Sequence, residues 1–244
     1  MDFNYKEMDP EGWETLKVIS EADKLNQWMF DTIHPFLKGK VLEIGSGIGN
    51  ISSFVLNNNY QLTMSDIRPS YREVLKKHFG GHPNTSEVME LDIVDPDFDQ
   101  KFGKYFNTFD AIFALNVVEH IKDDKLAIAN CKKLLAPGGK LTILVPAYQS
   151  LYNHFDEALE HYRRYNKTTL SALFTANDLR ITRKQYFNAA GIMGWYVSGK
   201  LQKNKIIPGG QMKLYNTLVP VFRLTDKVLL NRLGLSVIVS GTKD

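Results

Sequence analysis

Apolar and polar positions follow two periods along this chain, and the switches between them predict its elements. Over residues 11–37, Trp13, Leu16, Ile19, Leu25, Trp28, Met29 and Ile33 recur at helical spacing and mark one apolar face. Residues 40–44 read as a strand, 51–57 as a short helix, and 60–65 as a strand that ends at Asp66. A helix over 69–78 carries Pro69 in its first turn, where a missing N–H costs nothing. Strand spacing returns over 85–91, ending at Asp92, and the apolar run 109–115 suits a central strand covered on both faces. A helix over 123–135 is expected to stop at Pro137, Gly138 and Gly139, with 141–145 as the next strand.

Such alternation predicts a parallel sheet with helices on both faces and right-handed crossovers. In open sheets of this kind ligands bind at the carboxyl ends of the strands, where the strand order reverses. After Pro146 the pattern changes. Residues 147–165 are polar and aromatic, 170–177 resume helix, 181–187 read as a strand, and 235–239 as a last one. Between them, 188–234 hold many breakers, including Gly191, Gly194, Pro208 and Pro220, and then an amphipathic piece over 224–233. The last strand returns to the same sheet, so this stretch reads as an insertion. The expected organisation is one domain over 1–244, with an N-terminal helical cap over 1–38 and lid and insertion elements over 147–233.

Composition narrows the classes. A chain of 244 residues, 43% hydrophobic, is long enough for one generous core. A formal charge of +3 does not point to nucleic acid. Cys131 is the single cysteine, so no internal disulfide exists, and its place in the 123–135 helix suits packing against the sheet. The polar, acidic start lacks signal-peptide character, and no apolar run approaches the roughly 20 residues of a membrane span. A cytoplasmic location is the expectation.

The stretch VLEIGSGIGN, residues 41–50, carries the chemistry. A strand leading straight into Gly45, Gly47 and Gly49 lets backbone approach a ligand closely, and the following helix offers free N–H groups. The competing reading is a plain turn. Asp66 follows about twenty residues on, where an acid grips ribose hydroxyls. Any adenosine-bearing cofactor fits so far. A dinucleotide fingerprint needs G-x-G-x-x-G, and here its third glycine place holds Asn50, which counts against NAD. Asp92 is placed to reach an adenine amino group, or else belongs to the solvated acidic stretch with Asp95, Asp97 and Asp99.

VLEIGSGIGN, MSDI, ELDI, FDAIFALNVVEHI and LLAPGGKLTILVP follow one another over residues 40–147 in an order that resembles class I S-adenosylmethionine-dependent methyltransferases. The resemblance implies an α/β, doubly wound, Rossmann-like fold with a seven-stranded, mostly parallel sheet whose last strand, 235–239, is antiparallel. It implies S-adenosyl-L-methionine as cofactor. Glu43 would orient its amino end, and Gly45, Ser46 and Gly47 would lie under the ribose and methionine. Asp66 would hold the ribose hydroxyls with Ile67 on the adenine. Asp92 would meet the adenine amino group, Ile93 would flank the ring, and Asn116 would face the methionine near the sulfonium.

Methyl transfer is an in-line displacement, and an O–H or protonated amine acceptor also needs a base. His120, in NVVEH, is the candidate, unless it merely packs the next helix. The run YQSLYNHFDEALEHYRRY is similar to that of a methyltransferase subgroup with a D-x-x-x-x-H-x-R-R-Y pattern, here Asp156, His161, Arg163, Arg164 and Tyr165. Adjacent arginines suit a phosphate or carboxylate. The alternative is a structural network in which Arg163 or Arg164 pairs with Asp156 or Glu157. No metal is expected, because His154, Asp156, Glu160 and His161 show no tight ligand spacing.

The reading is an enzyme moving a methyl group to a small or carrier-linked acceptor, with O-methylation of a sugar-like or carboxylate-bearing molecule as the finer expectation. A non-catalytic binder or sensor of S-adenosylmethionine and a nicotinamide oxidoreductase are the alternatives. A DNA amino-methyltransferase would carry N/D-P-P-Y/F where this chain has Asn116, Val117, Val118 and Glu119, so nucleic acid is not expected. The insertion, with Lys200, Lys203 and Lys205 before IIPGG, would wall the pocket, form a dimer or touch a membrane surface; pocket wall is the expected role. The oligomeric state is left open.

Overall fold

A computed structural model describes residues 10–202 and 209–244. Lys203, Lys205, Pro208 and the first nine residues of the expected cap lie outside the described residues.

Helices α1 (Pro10–Ser20) and α2 (Asp23–Ile33) precede β1 (Lys40–Ile44). The single helix expected over 11–37 is broken, because Ala22 is fully buried and leaves helical geometry at φ −96°, ψ 64°. The break turns α1 across the sheet, where Leu16 covers the turn after β1. Next come α3 (Ser52–Asn57), β2 (Gln61–Ser65), α4 (Pro69–Phe79), β3 (Thr85–Met89), α5 (Phe98–Phe102) and β4 (Phe109–Leu115). Then follow α6 (Asp124–Leu134), β5 (Leu135–Pro146), α7 (His154–Ala158), α8 (Lys167–Thr175) and β6 (Leu179–Phe187). Last are α9 (Gly191–Trp195), a π-helical turn (Tyr196–Leu201), α10 (Gly209–Val228) and β7 (Ser236–Lys243).

The strands form one sheet in the order β3-β2-β1-β4-β5-β7-β6. β7 runs antiparallel to both of its neighbours, and the remaining pairs are parallel. The fold is thus the seven-stranded, doubly wound α/β arrangement expected. Leu42, Ile44, Ile112 and Ala114 face one core with Cys131, Leu170 and Phe174. Val41, Ala111 and Phe113 alternate to the opposite core with Phe30, Val55 and Leu75. A third apolar cluster joins Trp28, Phe187, Met212 and Val219, and seats α10 against α2 and the sheet.

Two elements differ from the sequence reading. Pro137, Gly138 and Gly139 do not end a helix; they lie inside β5, where the pairing with β4 shifts register between Phe109 and Ala111. Pro220 does not break the insertion, because α10 runs through it for 20 residues. That helix stops instead just after Val228, where Leu230 and Asn231 take positive φ.

The chain leaves β1 toward β2 and β3 on one side and re-enters at β4 on the other. The carboxyl ends of β1 and β4 therefore flank the point where strand order reverses.

Candidate functional site

The turn after β1 is built to stay bare. Gly45, Gly47 and Gly49 all have positive φ, between 55° and 90°. A Cβ on Gly45 would meet Val117 at 2.4 Å, and one on Gly49 would meet the Phe79 ring at 2.3 Å. These two glycines are required by the chain's own packing. Gly47 has Leu16 of α1 at 3.0 Å from the same construction.

Two buried carboxylates hold this turn. Glu43 is bonded by the Ser52 hydroxyl, and desolvation pushes its carboxyl up to about 7 against the bonds from Ser52 and Ser46. Asp66, only 5% exposed, accepts from the Gly47 N–H at 3.0 Å and the Arg68 N–H at 2.9 Å. Burial raises its pKa, and those two N–H groups oppose the rise. Each carboxylate oxygen keeps a second lone pair.

One cavity of about 1640 Å³ opens over these groups, and all nine expected cofactor residues line it: Glu43, Gly45, Ser46, Gly47, Asp66, Ile67, Asp92, Ile93 and Asn116. Asn116 sits at the tip of β4 in the left-handed region, φ 55°, a strained position that asparagine tolerates. S-adenosylmethionine passes the test of fit. A bare turn, a buried acid with spare lone pairs and the half-exposed apolar side chain of Ile67 all open on the one cavity.

The five expected catalytic residues divide. His120, His161 and Arg164 line the same cavity; Arg163 and Tyr165 do not. Arg163 turns outward to Asp124 at 2.6 Å and the Lys122 carbonyl at 2.8 Å. Tyr165 is buried and donates to the same Asp124 at 2.8 Å. Chain direction explains the split: Tyr165 pairs its backbone with Ala147 at the end of β5, so successive side chains leave on different sides. Arg164 points inward, donating to Asp156 at 2.7 Å and the Ala147 carbonyl at 3.0 Å, with Trp195 stacked beneath it. Both arginines are neutralised by carboxylates: Arg164–Asp156 is the pairing that the sequence left as the alternative to anion binding, while the partner of Arg163, Asp124, was not among those expected.

Asp156 is the hub. It accepts from Arg164, from His161 Nδ1 at 2.8 Å and from the Asn153 N–H at 3.0 Å. Burial pushes its carboxyl up, but His161 and Arg164 outweigh that and hold it below the ordinary range. A carboxylate on Nδ1 requires a proton there and fixes the orientation of the His161 ring. The His120 ring packs edge-on against His161, with centroids 4.6 Å apart. The His120 side chain is exposed on the cavity, and desolvation by the cavity walls together with the neighbouring His161 lowers its pKa.

Glu119 was not singled out from the sequence. It is 0% exposed, lines the cavity, and neither carboxylate oxygen has a hydrogen-bond partner among the described residues. Desolvation, helped by Asp156, pushes it up to about 8. The pair Glu119–His120 was visible in NVVEH, but nothing local signals that His161, far along the chain, joins it.

A sheet of this order, with the bare turn at the tip of β1 and the acid at the tip of β2, is similar to the fold of class I S-adenosylmethionine-dependent methyltransferases. The comparisons agree. The family profile described as a methyltransferase domain matches residues 42–141. Probable polyketide synthase 41 of Dictyostelium discoideum is 31% identical over 140 residues, which is 50% of this chain and 6% of that protein. The chain thus spans only a small part of the curated relatives it matches. Phosphoethanolamine N-methyltransferase 2 of Haemonchus contortus, solved with S-adenosyl-L-methionine, aligns with TM-score 0.62 at 15% identity, covering 96% of this chain and 58% of that one. The CurJ carbon methyltransferase aligns with TM-score 0.57 at 17% identity, covering 91% and 53%. No helix among the described residues is long and apolar enough to cross a membrane.

Proposed function

We propose that this chain moves a methyl group from S-adenosylmethionine to an oxygen of an acceptor with a large apolar body, small or carrier-linked. The supporting observation is a polar cluster of Asn116, Glu119, His120, His161 and Arg164, set in the wall of a cavity otherwise rich in apolar side chains. Single-ligand pockets typically span about 300–1,000 Å³. A cavity of about 1640 Å³ leaves room for cofactor and acceptor together.

When bound, S-adenosylmethionine supplies a methyl group already activated on a sulfonium. Glu43 and Asn116 orient its amino-acid end, Gly45, Ser46 and Gly47 underlie it, and Asp66 holds its ribose. Ile67, Asp92 and Ile93 enclose its base. The cap formed by α1 and the lid within 147–233 exclude water and hold the acceptor in line, a positioning effect worth roughly 7–11 kcal/mol. An O–H acceptor must also lose a proton, and the His120–His161 pair handles it, with Asp156 fixing the His161 tautomer. Arg164 braces that pair through Asp156, while Arg163 and Tyr165 brace the lid through Asp124. With the arginines engaged, the acceptor needs no anionic group. The apolar lining from Met212, Phe222 and Leu235, and the likeness to part of polyketide synthases, favour a carrier-linked acyl chain over a sugar.

Thermal shift with S-adenosylmethionine, S-adenosylhomocysteine and NAD is the first test, and a response to NAD alone overturns the reading. Transfer from methyl-labelled donor to hydroxylated acyl thioesters, free or on a carrier protein, is the second. NMR of the product is expected to show an O-methyl group. A C-methyl product would replace oxygen by carbon, and donor binding without transfer to any acceptor would leave a binding-only role.

A further inference from the structure

The carboxylate of Glu119 poses a physical problem. A fully buried acid without hydrogen bonds costs several kcal/mol, and such groups are rare unless something absent from the chain completes them. Two imidazoles stand beside it. One ligand-capable atom from each of Glu119, His120 and His161 lies within 4.8 Å of the other two. Metal–ligand distances near 2.0–2.2 Å place donors about 3 Å apart, so modest side-chain rotation closes this triangle on an ion.

We propose that Glu119, His120 and His161 form a binding site for one divalent first-row transition ion on the acceptor side of the cavity. Two imidazole nitrogens with one carboxylate suit ions such as Co²⁺, Fe²⁺ or Zn²⁺ better than the all-oxygen shells of calcium. The surroundings are those of a metal centre. Asp156 holds Nδ1 of His161 at 2.8 Å, which aims Nε2 away from the network. Arg164 in turn fixes Asp156, so the orienting shell is itself anchored.

Three protein ligands leave open coordination positions on the side that faces the cavity. An acceptor hydroxyl bound there would be held in place, and its proton made more acidic. That consequence rests on the proposed methyl transfer, with the imidazoles acting through the ion rather than as free bases; the site itself does not depend on it.

The test uses the full chain, stripped with a chelator and titrated with Co²⁺ while its ligand-field absorption is followed, with Zn²⁺ calorimetry in parallel. One ion per chain and a visible band are expected. Glu119→Gln, His120→Ala and His161→Ala should each weaken binding at least tenfold. His154→Ala, which alters the exposed His154–Glu157 pair instead, should not. Glu119→Gln keeps volume and His120 lies outside the Asp156 network, so these two remain informative if His161→Ala fails to fold. Absence of a saturable site, or equal binding by Glu119→Gln, His120→Ala and the wild type, overturns the proposal. Calorimetry with S-adenosylmethionine on the stripped protein separates the two readings. Donor binding without metal binding defeats only the metal site, and metal binding without donor binding defeats only the methyltransferase reading.

Discussion

At the scale of single residues, burial decides roles that residue type leaves open. Glu43 is held neutral at low pH by desolvation, with its carboxyl at about 7 against an ordinary 4.5. Below 4.5 the group is protonated in both states and has no effect. Between 4.5 and about 7 the unfolded chain ionises first, so the folded form binds more protons and stability falls as pH rises. At about 1.4 kcal/mol per unit, the full loss is roughly 3 kcal/mol. Glu43→Gln should remove that part of the slope, as read by urea unfolding from pH 4 to 8, and parallel curves for the two proteins would contradict it. The two arginines of HYRRY separate on the same logic. Arg164 is buried with Asp156, so Arg164→Ala should cost about 3 kcal/mol or more by stranding a buried charge. Arg163 pairs with Asp124 in a partly buried position, and Arg163→Ala should cost less than Arg164→Ala, about 1–2 kcal/mol, and leave S-adenosylmethionine affinity unchanged. Denaturation midpoints and calorimetry on the two variants check both. From the sequence these neighbours were equivalent, because alternation of side-chain direction is invisible until Tyr165 is known to pair with Ala147.

At the scale of elements, legibility tracks how local the determining interactions are. The strands 40–44, 60–65 and 109–115 were readable because each is apolar, short and followed by its functional residue. The PGG segment was misread because its conformation is set by β4, through a register shift no local pattern encodes. Helix α10 was unreadable because Pro220 reads locally as a breaker, while the helix is seated through Met212 and Val219 by residues distant in the chain. The break at Ala22 belongs to the same class and has a dynamic consequence. α1 buries none of its residues; it meets the glycine turn through Leu16 and a bond from Asn50 to the Leu16 carbonyl at 3.1 Å, and meets α4 through Trp13 stacked on Tyr71. Its amides should exchange with little protection in the free protein and slow at least tenfold when S-adenosylmethionine is added, together with those of residues 45–50. α2, seated in the core by Phe30 and Ile33, should exchange slowly in both states. Equal protection of α1 and α2 in the free protein would show that α1 is no separable cap.

At the scale of the whole molecule, the sheet gathers residues spread over more than a hundred positions at one edge. The expected cofactor residues share one cavity because they sit at strand tips, where position in the chain translates directly into position in space. The acceptor half was legible only in part. His120 follows β4 at once, but His161 reaches it through the α7 turn and the Asp156 hub, and the burial of Glu119 has no local signal in the chain. The two halves share one cavity but lie on separate supports, the β1–β2 tips on one side and the segment after β5 on the other. Their contributions to donor binding should therefore be independent. Asp66→Ala removes a carboxylate that orders Gly47 and Arg68 and should weaken S-adenosylmethionine binding at least tenfold. His161→Ala should leave that affinity within about twofold. The double variant should then bind like Asp66→Ala alone, with a coupling energy under about 0.5 kcal/mol. Calorimetry on the four proteins measures this coupling. A coupling above about 1 kcal/mol would mean that the Asp156 hub and the glycine turn behave as one element, and the division of the cavity into a donor half and an acceptor half would have to be abandoned.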